Sequence, residues 1–252
     1  MTGRFLVALA VFVLAAPAPP RPAFADHAAE CHAGQQDGGA DFPLPHVVKA
    51  LAEKQLDILV VGAGSSVLPG PNGAKEAYPA RLQNALSEKL PGVAVRLTTD
   101  VKSRRTAAEM VKTLPATLTA AKPALVVWQT GTVDAMQSVD PDQFSAAVEQ
   151  GIHLAQAAGA DTILVNSQYS PRTESIIALS TYDEDLRWVA VQQQIPLFNR
   201  FSIMKAWSDS GTFDLYSPTK KLDIAERVHD CIGRLLADLI IEAAKPAEPP
   251  PK

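Results

Sequence analysis

Two adjacent serines and one late histidine are the side chains in this sequence that suggest covalent chemistry. Ser65 and Ser66 follow Gly64 at the end of an apolar run, and His229 stands three residues after Glu226. Acyl transfer uses a serine hydroxyl that an imidazole deprotonates and a carboxylate that orients the imidazole. These residues raise the hypothesis of a serine hydrolase with Ser65 or Ser66 as nucleophile and His229 as base. In the alternative interpretation, the serines cap the following turn and His229 is a structural side chain of a helix face.

Other site chemistries find little support in the sequence. Gly62 and Gly64 suggest a dinucleotide-binding loop, but Val67 occupies the place of the third glycine and no acidic residue follows about 20 positions on, at a second strand end. The two cysteines, Cys31 and Cys231, form no CxxC pair and no cluster with histidine. We therefore expect neither a cofactor nor a metal site.

Short apolar runs alternate with amphipathic segments along most of the chain, a pattern typical of strands buried on both faces of a parallel sheet with helices between them. The predicted strands are Ile58–Val61, Val93–Leu97, Leu125–Trp128, Thr162–Val165 and Pro196–Phe198. The predicted helices between them are Tyr78–Leu90, Thr106–Ala120 (with Pro115 as a kink), Asp142–Ala158 and Thr181–Gln194.

Ligands of such a sheet bind at the carboxyl ends of its strands. The residues that follow each predicted strand are therefore the candidate cleft. Besides Ser65 and Ser66, the predicted ligand-binding residues there are Gly64, Ser103, Arg104, Asp134, Gln168 and Tyr169. The cluster of Lys102, Arg104 and Arg105 either binds an anion in the cleft or is a set of solvated loop charges.

The order of these segments resembles the SGNH hydrolases, also called the GDSL family. The resemblance runs from the strand that ends in Gly62, through the segments Tyr78–Leu82, Leu125–Thr132 and Gln168–Pro171, to the final helix, and covers about residues 57–241. It implies a three-layer α/β/α fold with a flavodoxin-like five-stranded parallel sheet of order 2-1-3-4-5. It also implies an esterase or carbohydrate deacetylase that works without a metal, on a small-molecule, glycan or acyl ligand.

The chain departs from that family's catalytic motifs at four places. Gly64 stands where the resemblance puts the nucleophile, and Val133 where it puts the asparagine of the oxyanion hole. Thr219 and Leu222 stand near the positions where the resemblance puts the catalytic aspartate and histidine. Ser103 could still offer its backbone N–H to an oxyanion. Loss of one oxyanion donor typically costs about 2.7–4 kcal/mol of transition-state stabilisation. We expect a degenerate site in a binding or accessory protein; the alternative is an active esterase or deacetylase that uses Ser65 or Ser66.

Charge and composition bear on location and partners. Residues 1–25 have the basic start, short apolar run and small-residue cleavage site of a secretory signal, which predicts a periplasmic or secreted protein. Two cysteines in an exported chain predict a Cys31–Cys231 disulfide. A net charge of −4 with interspersed signs argues against nucleic acid as a partner, and no later segment is apolar enough to span a membrane. Oligomeric state is left open.

The chain divides into four predicted segments. Residues 1–25 are the signal peptide, 26–56 an N-terminal lead segment, 57–244 the SGNH-hydrolase-like domain and 245–252 a Pro-rich disordered tail. The tail assignment follows from four prolines in residues 246–252, which cannot continue a helix.

The exported protein should begin at Asp26, because the small residues Ala23 and Ala25 precede it at the spacing that signal peptidases accept. N-terminal sequencing or intact mass of the exported form checks this. Recovery of residues 1–25 on protein held in the membrane fraction would contradict it.

Overall fold

The computed structural model describes Cys31, residues 42–216 and residues 222–245. The predicted signal peptide, residues 26–30 and 32–41 of the lead segment, Thr219 and most of the Pro-rich tail lie outside the described residues. Among the residues that are described, no helix is long and apolar enough to cross a membrane.

Five parallel strands form one sheet at the centre of the fold. They are β1 (Gln55–Gly62), β2 (Ala94–Val101), β3 (Leu125–Gln129), β4 (Asp161–Val165) and β5 (Leu197–Phe198). Their order is β2-β1-β3-β4-β5, with all four pairings parallel. This confirms the α/β class and the flavodoxin-like order that the resemblance implied.

Helices connect the strands and cover both faces of the sheet. They are α1 (Pro45–Ala52), α2 (Gly73–Glu76), α3 (Tyr78–Lys89), α4 (Ala107–Ala121), α5 (Thr132–Met136), α6 (Pro141–Ala157), α7 (Pro171–Glu174), α8 (Leu179–Gln192), α9 (Arg200–Asp209) and α10 (Asp223–Ala243). A 3-10 turn, Gly64–Ser66, follows β1.

The alternation of side chains along β1 divides the core into two layers. Ile58 and Val60 face a cluster formed mainly by α1, α3, α9 and α10, whereas Leu59 and Val61 face α4, α6 and α8. Successive strand residues point to opposite faces, and both faces of β1 are buried because each carries a layer of helices.

Strand β2 and several helices differ from the sequence prediction. Strand β2 extends to Val101, so that Thr98–Asp100 belong to the strand; as an edge strand with exposed residues, it lacks the apolar run that marks the others. Helix α9 was not predicted, nor were the short helices α2, α5 and α7. The residues of the lead segment from Leu44 onward pack into the core. Leu44 N donates to Ala243 O at 3.1 Å, and Val47 N donates to Asp161 Oδ2 at 2.9 Å.

The structure contains the predicted disulfide. Cys31 and Cys231 are bonded across a sequence separation of 200 residues, and both are buried. Cys231 lies in α10, so the bridge fixes the N-terminal lead to the last helix of the domain.

Helices α3 and α10 approach each other closely at Gly233. A Cβ atom at this position would lie 2.7 Å from the backbone nitrogen of Leu82 and 2.8 Å from the backbone carbon of Arg81. Backbone atoms cannot give way as a flexible side chain can, so the two helices would have to separate.

Gly233→Ala should therefore lower the free energy of unfolding by about 1–3 kcal/mol, the usual cost of overpacking a core. Urea denaturation measures it. Gly64→Ala is the matched control, because its new Cβ would meet nothing nearer than Ser103 Oγ at 3.5 Å. Equal stability of the wild type and Gly233→Ala would contradict this packing.

Candidate active site

The turn after β1 places its two serines in different surroundings. Ser65 is half-buried, but Ser66 is only 2% exposed, and its Oγ lies 3.0 Å from Tyr78 Oη and 3.1 Å from Gln129 Oε1. A Cβ on Gly62 would come within 2.3 Å of Ser66 Oγ, so the glycine leaves the space that the Ser66 hydroxyl occupies at the strand end. The hydroxyl of Ser66 is thus held in the interior.

Gln129, the last residue of β3, organises this turn. Its Oε1 accepts the backbone N–H of Ala63 at 3.1 Å in addition to the hydroxyl of Ser66, and its side chain is fully buried. Gln129 was within a predicted strand-end segment but was not singled out as a site residue. Its burial at the end of an all-buried strand depends on the adjacent turn and could not be predicted from a single strand.

Arg200 is the functional candidate that the sequence analysis missed. It begins α9 directly after β5, is 2% exposed, and donates from Nη1 to Ser65 O at 3.3 Å and from Nη2 to Ser65 Oγ at 3.2 Å. Burial lowers the pKa of its guanidinium to about 10. The arginine therefore stays charged at neutral pH, in contact with Ser65, the more accessible of the two serines.

His229 lies in α10 and meets the same region from another side. Its Nδ1 accepts the backbone N–H of Tyr78 at 2.9 Å. Burial, followed by the charge of Arg200, lowers the pKa of its imidazole to about 3. Tyr78 stands between His229 and Ser66, since its amide binds the imidazole and its hydroxyl binds the serine.

Asp134 and Val133 lie at the start of α5. Asp134 is buried, and its Oδ1 accepts the backbone N–H of Ala107 at 2.9 Å, which ties it to the first residue of α4. Burial raises the pKa of this carboxyl, although backbone hydrogen bonds act against the rise. A carboxylate at a helix N-terminus is favoured by the helix dipole. This geometry supports a structural role for Asp134 in addition to any contact with a ligand.

The loop residues predicted to bind ligand occupy two sides of the strand-end edge. Ser103 and Arg104 are exposed in the turn after β2, close to Gly64. Gln168 is half-buried after β4, and Tyr169 is buried, with its ring edge-on to Phe201 at 5.2 Å between centroids. The structure brings Gly64 and Ser103 together and directs Tyr169 toward α9.

A second buried charge lies behind the loop after β4. The Oδ1 atom of Asp183 accepts the backbone N–H of Ser167 at 3.1 Å, and burial raises the pKa of this carboxyl to about 6. Its electrostatic interaction with Arg200 acts in the opposite direction. In the described part of the chain, no group of three or more His, Cys, Asp or Glu side chains is placed to hold a metal ion.

His229→Gln should alter how stability depends on pH. An imidazole that accepts an N–H through Nδ1 must be neutral, so the folded state binds the proton more weakly than the unfolded state does. Between pH 6.5 and pH 3, His229 therefore costs about 1.4 kcal/mol of folding stability for each pH unit of acidification. Glutamine removes this dependence and can keep an acceptor for Tyr78 N.

The readout is the difference in unfolding free energy between the wild type and His229→Gln, measured by urea denaturation from pH 7 to pH 4. Asp183, with its raised pKa, makes the unfolding free energy depend on pH in the opposite direction between pH 6 and pH 4. Because both proteins contain Asp183, its contribution cancels in the difference. His153→Gln, at an exposed helix position, is the matched control. A difference that does not change with pH would show that His229 is not held neutral.

Comparisons with known proteins agree with this fold. A model of the non-GDSL lipase-like family matches residues 30–246. No curated protein matches the chain in sequence.

Solved structures give the same result. TesA is 24% identical, with a TM-score of 0.54 over 75% of this chain and 97% of its own. The acetylxylan esterase Axe2 from Geobacillus stearothermophilus is 15% identical, with a TM-score of 0.59 over 73% and 94%. The psychrotrophic esterase EstA from Pseudoalteromonas sp. is 21% identical, with a TM-score of 0.52 over 73% and 98%. At these identities the likeness concerns the fold.

Proposed function

This chain belongs to the non-GDSL lipase-like family, and we propose that it is an exported binding or accessory protein whose acyl-transfer site is degenerate. Export is supported by the signal-like sequence of residues 1–25 and by the Cys31–Cys231 disulfide, since such bonds persist in oxidising compartments.

The hydrogen bonds of Tyr78 are the observation that carries the proposal. A serine nucleophile needs an imidazole within hydrogen-bond reach, but Tyr78 lies between the buried Ser66 and His229 and binds both. An imidazole with a pKa of about 3 is also poorly matched to proton abstraction near neutral pH. Both facts support a site that does not activate serine.

The oxyanion hole supports the same conclusion. Val133 has no side-chain donor at the place where the resemblance puts an asparagine. The neighbouring Asp134 is bonded to the N-terminus of α4 and carries negative charge when ionised, which disfavours an oxyanion. Preorganised donors usually contribute more to the acceleration of acyl transfer than any other single effect, so their loss would suppress turnover even if a serine were activated.

The ligand we propose is a small molecule with an acyl or glycan part. This follows from the family and from the names of two structural neighbours, an acetylxylan esterase and a psychrotrophic esterase. The same similarity favours the alternative function, an active esterase or deacetylase. In that alternative Ser65 is the better nucleophile of the pair, because it is half-buried whereas Ser66 is enclosed.

The purified protein should show no more hydrolysis of nitrophenyl acetate than Ser65→Ala and Ser66→Ala do, and no labelling by a fluorophosphonate probe. The activated ester tests the chemistry without requiring a particular leaving group, and the probe tests for an activated serine without a substrate. Ser180→Ala, at an exposed position of α8, is the matched control. Stoichiometric labelling that Ser65→Ala or Ser66→Ala abolishes, and that His229→Gln weakens, would establish the esterase instead.

A further inference from the structure

We infer that the guanidinium of Arg200 binds a small organic carboxylate at the carboxyl-end edge of the sheet, beside Ser65. The inference rests on the proposed function, because it names the class of ligand that a site without turnover would bind. Arg200 was not among the residues that sequence patterns suggested, and its role depends on what surrounds it in the fold.

Arg200 is built into the site. It occupies the first position of α9, immediately after the carboxyl end of β5, and its side chain reaches the turn that follows β1. Two of its donors bind the backbone carbonyl and the hydroxyl of Ser65. A guanidinium has five N–H donors in a planar fork that matches a carboxylate, so donors remain available for a ligand.

The charge of Arg200 lacks an ion-pair partner. Within the described residues no carboxylate oxygen lies within 4.0 Å of the guanidinium, and the buried Nε has no hydrogen-bond partner. A pKa of about 10 leaves it charged at neutral pH. Proteins rarely leave a buried charge uncompensated, because its desolvation is costly. A bound anion would supply the missing negative charge.

Other buried groups near the same strand ends also lack partners. Gln129 Nε2 is a donor without an acceptor, whereas the Ser167 hydroxyl has the Asp183 carboxyl beside it. Both lie at the carboxyl ends of strands β3 and β4, and Gln129 contacts the turn that contains Ser65. An unpartnered donor beside a buried cation favours binding of a carboxylate. Asp183 Oδ2 is the one unpartnered carboxylate oxygen beside Ser167, and it weakens anion binding through repulsion.

The turn that contains Ser65 adjoins an exposed basic loop. Gly64 and Arg104 are exposed, and Ser103 lies against Gly64 in the adjoining loop. The guanidinium of Arg104 forms no ion pair with any described residue, so it contributes positive potential beside this turn. Such a potential raises the local concentration of anions. Of the three basic residues of the loop after β2, Arg105 and Lys102 pair with Asp100, so Arg104 is the residue to which we assign anion attraction.

Binding of sodium acetate to the disulfide-bonded protein tests the inference, with sodium phosphate as a second anion and sodium chloride at equal ionic strength as the baseline. Isothermal titration calorimetry should give one acetate site per chain, and acetate should raise the unfolding temperature above the chloride baseline. Acetate binding no stronger than chloride would overturn the inference. Phosphate binding ten-fold tighter than acetate would overturn the assignment to carboxylates.

Variants separate the roles of the neighbouring charges. Arg200→Met should weaken acetate binding at least ten-fold, whereas Asp183→Asn, which removes the repelling charge, should strengthen it several-fold. Arg96→Met is the matched control for loss of an arginine, since Arg96 pairs with Asp57 outside this site, and it should leave acetate affinity unchanged. Undiminished binding by Arg200→Met would refute the assignment.

If Arg200→Met fails to fold, the Asp183→Asn measurement decides: weaker or unchanged acetate binding would contradict the inference, and tighter binding would support it. Turnover of nitrophenyl acetate, measured on the same preparations, reports on the proposed function independently. A protein with neither turnover nor acetate binding would refute only the carboxylate site. A protein with turnover would refute the degenerate site on which it rests.

Discussion

The candidate site depends on the two hydrogen bonds of Tyr78. This residue is fully buried at the start of α3, its amide donates to His229 Nδ1 in α10, and its hydroxyl meets Ser66 Oγ in the turn after β1. The contacts join the helix layer to the carboxyl edge of the sheet. They also determine the chemistry, because an imidazole that accepts an amide N–H must stay neutral, and a buried serine hydroxyl that is hydrogen-bonded to the tyrosine hydroxyl is not open to a substrate.

Two charges are buried on the other side of that turn. Burial raises the pKa of Asp183 to about 6 and lowers that of Arg200 to about 10, and each charge partly offsets the shift of the other. They are not in salt-bridge contact, so neither recovers the full cost of desolvation through a close ion pair. The domain keeps them despite that cost. Buried, perturbed charges are more frequent at functional sites than elsewhere, which favours a retained binding role over simple decay of a former active site.

The sequence predicted the architecture because the strands are buried on both faces. Runs such as Leu125–Trp128 are apolar throughout, and only a parallel sheet between two helix layers accounts for several of them. The long edge strand β2 was underestimated, since its exposed residues alternate with partly buried ones and give a weaker signal. Helix α9 was missed although Asn199 caps it by accepting the N–H of Ser202, a local signal that was available in the sequence.

Individual site residues were harder to predict than the edge on which they lie. The rule that ligands bind at strand ends depends only on topology and singled out the serines and the basic loop, which follow β1 and β2 in the structure. Burial of Arg200 has no sequence signal: arginine is usually exposed, and this one is enclosed only because β5, α9 and the turn after β1 meet at one point of the fold. Sequence patterns specify which segments reach that edge, whereas the exposed fraction of each side chain is decided by contacts between segments far apart in the chain. Ser65 and Ser66 are adjacent in sequence, yet the first accepts a hydrogen bond from a buried cation and the second is enclosed by Tyr78 and Gln129. Which serine a ligand can reach is therefore determined by tertiary packing.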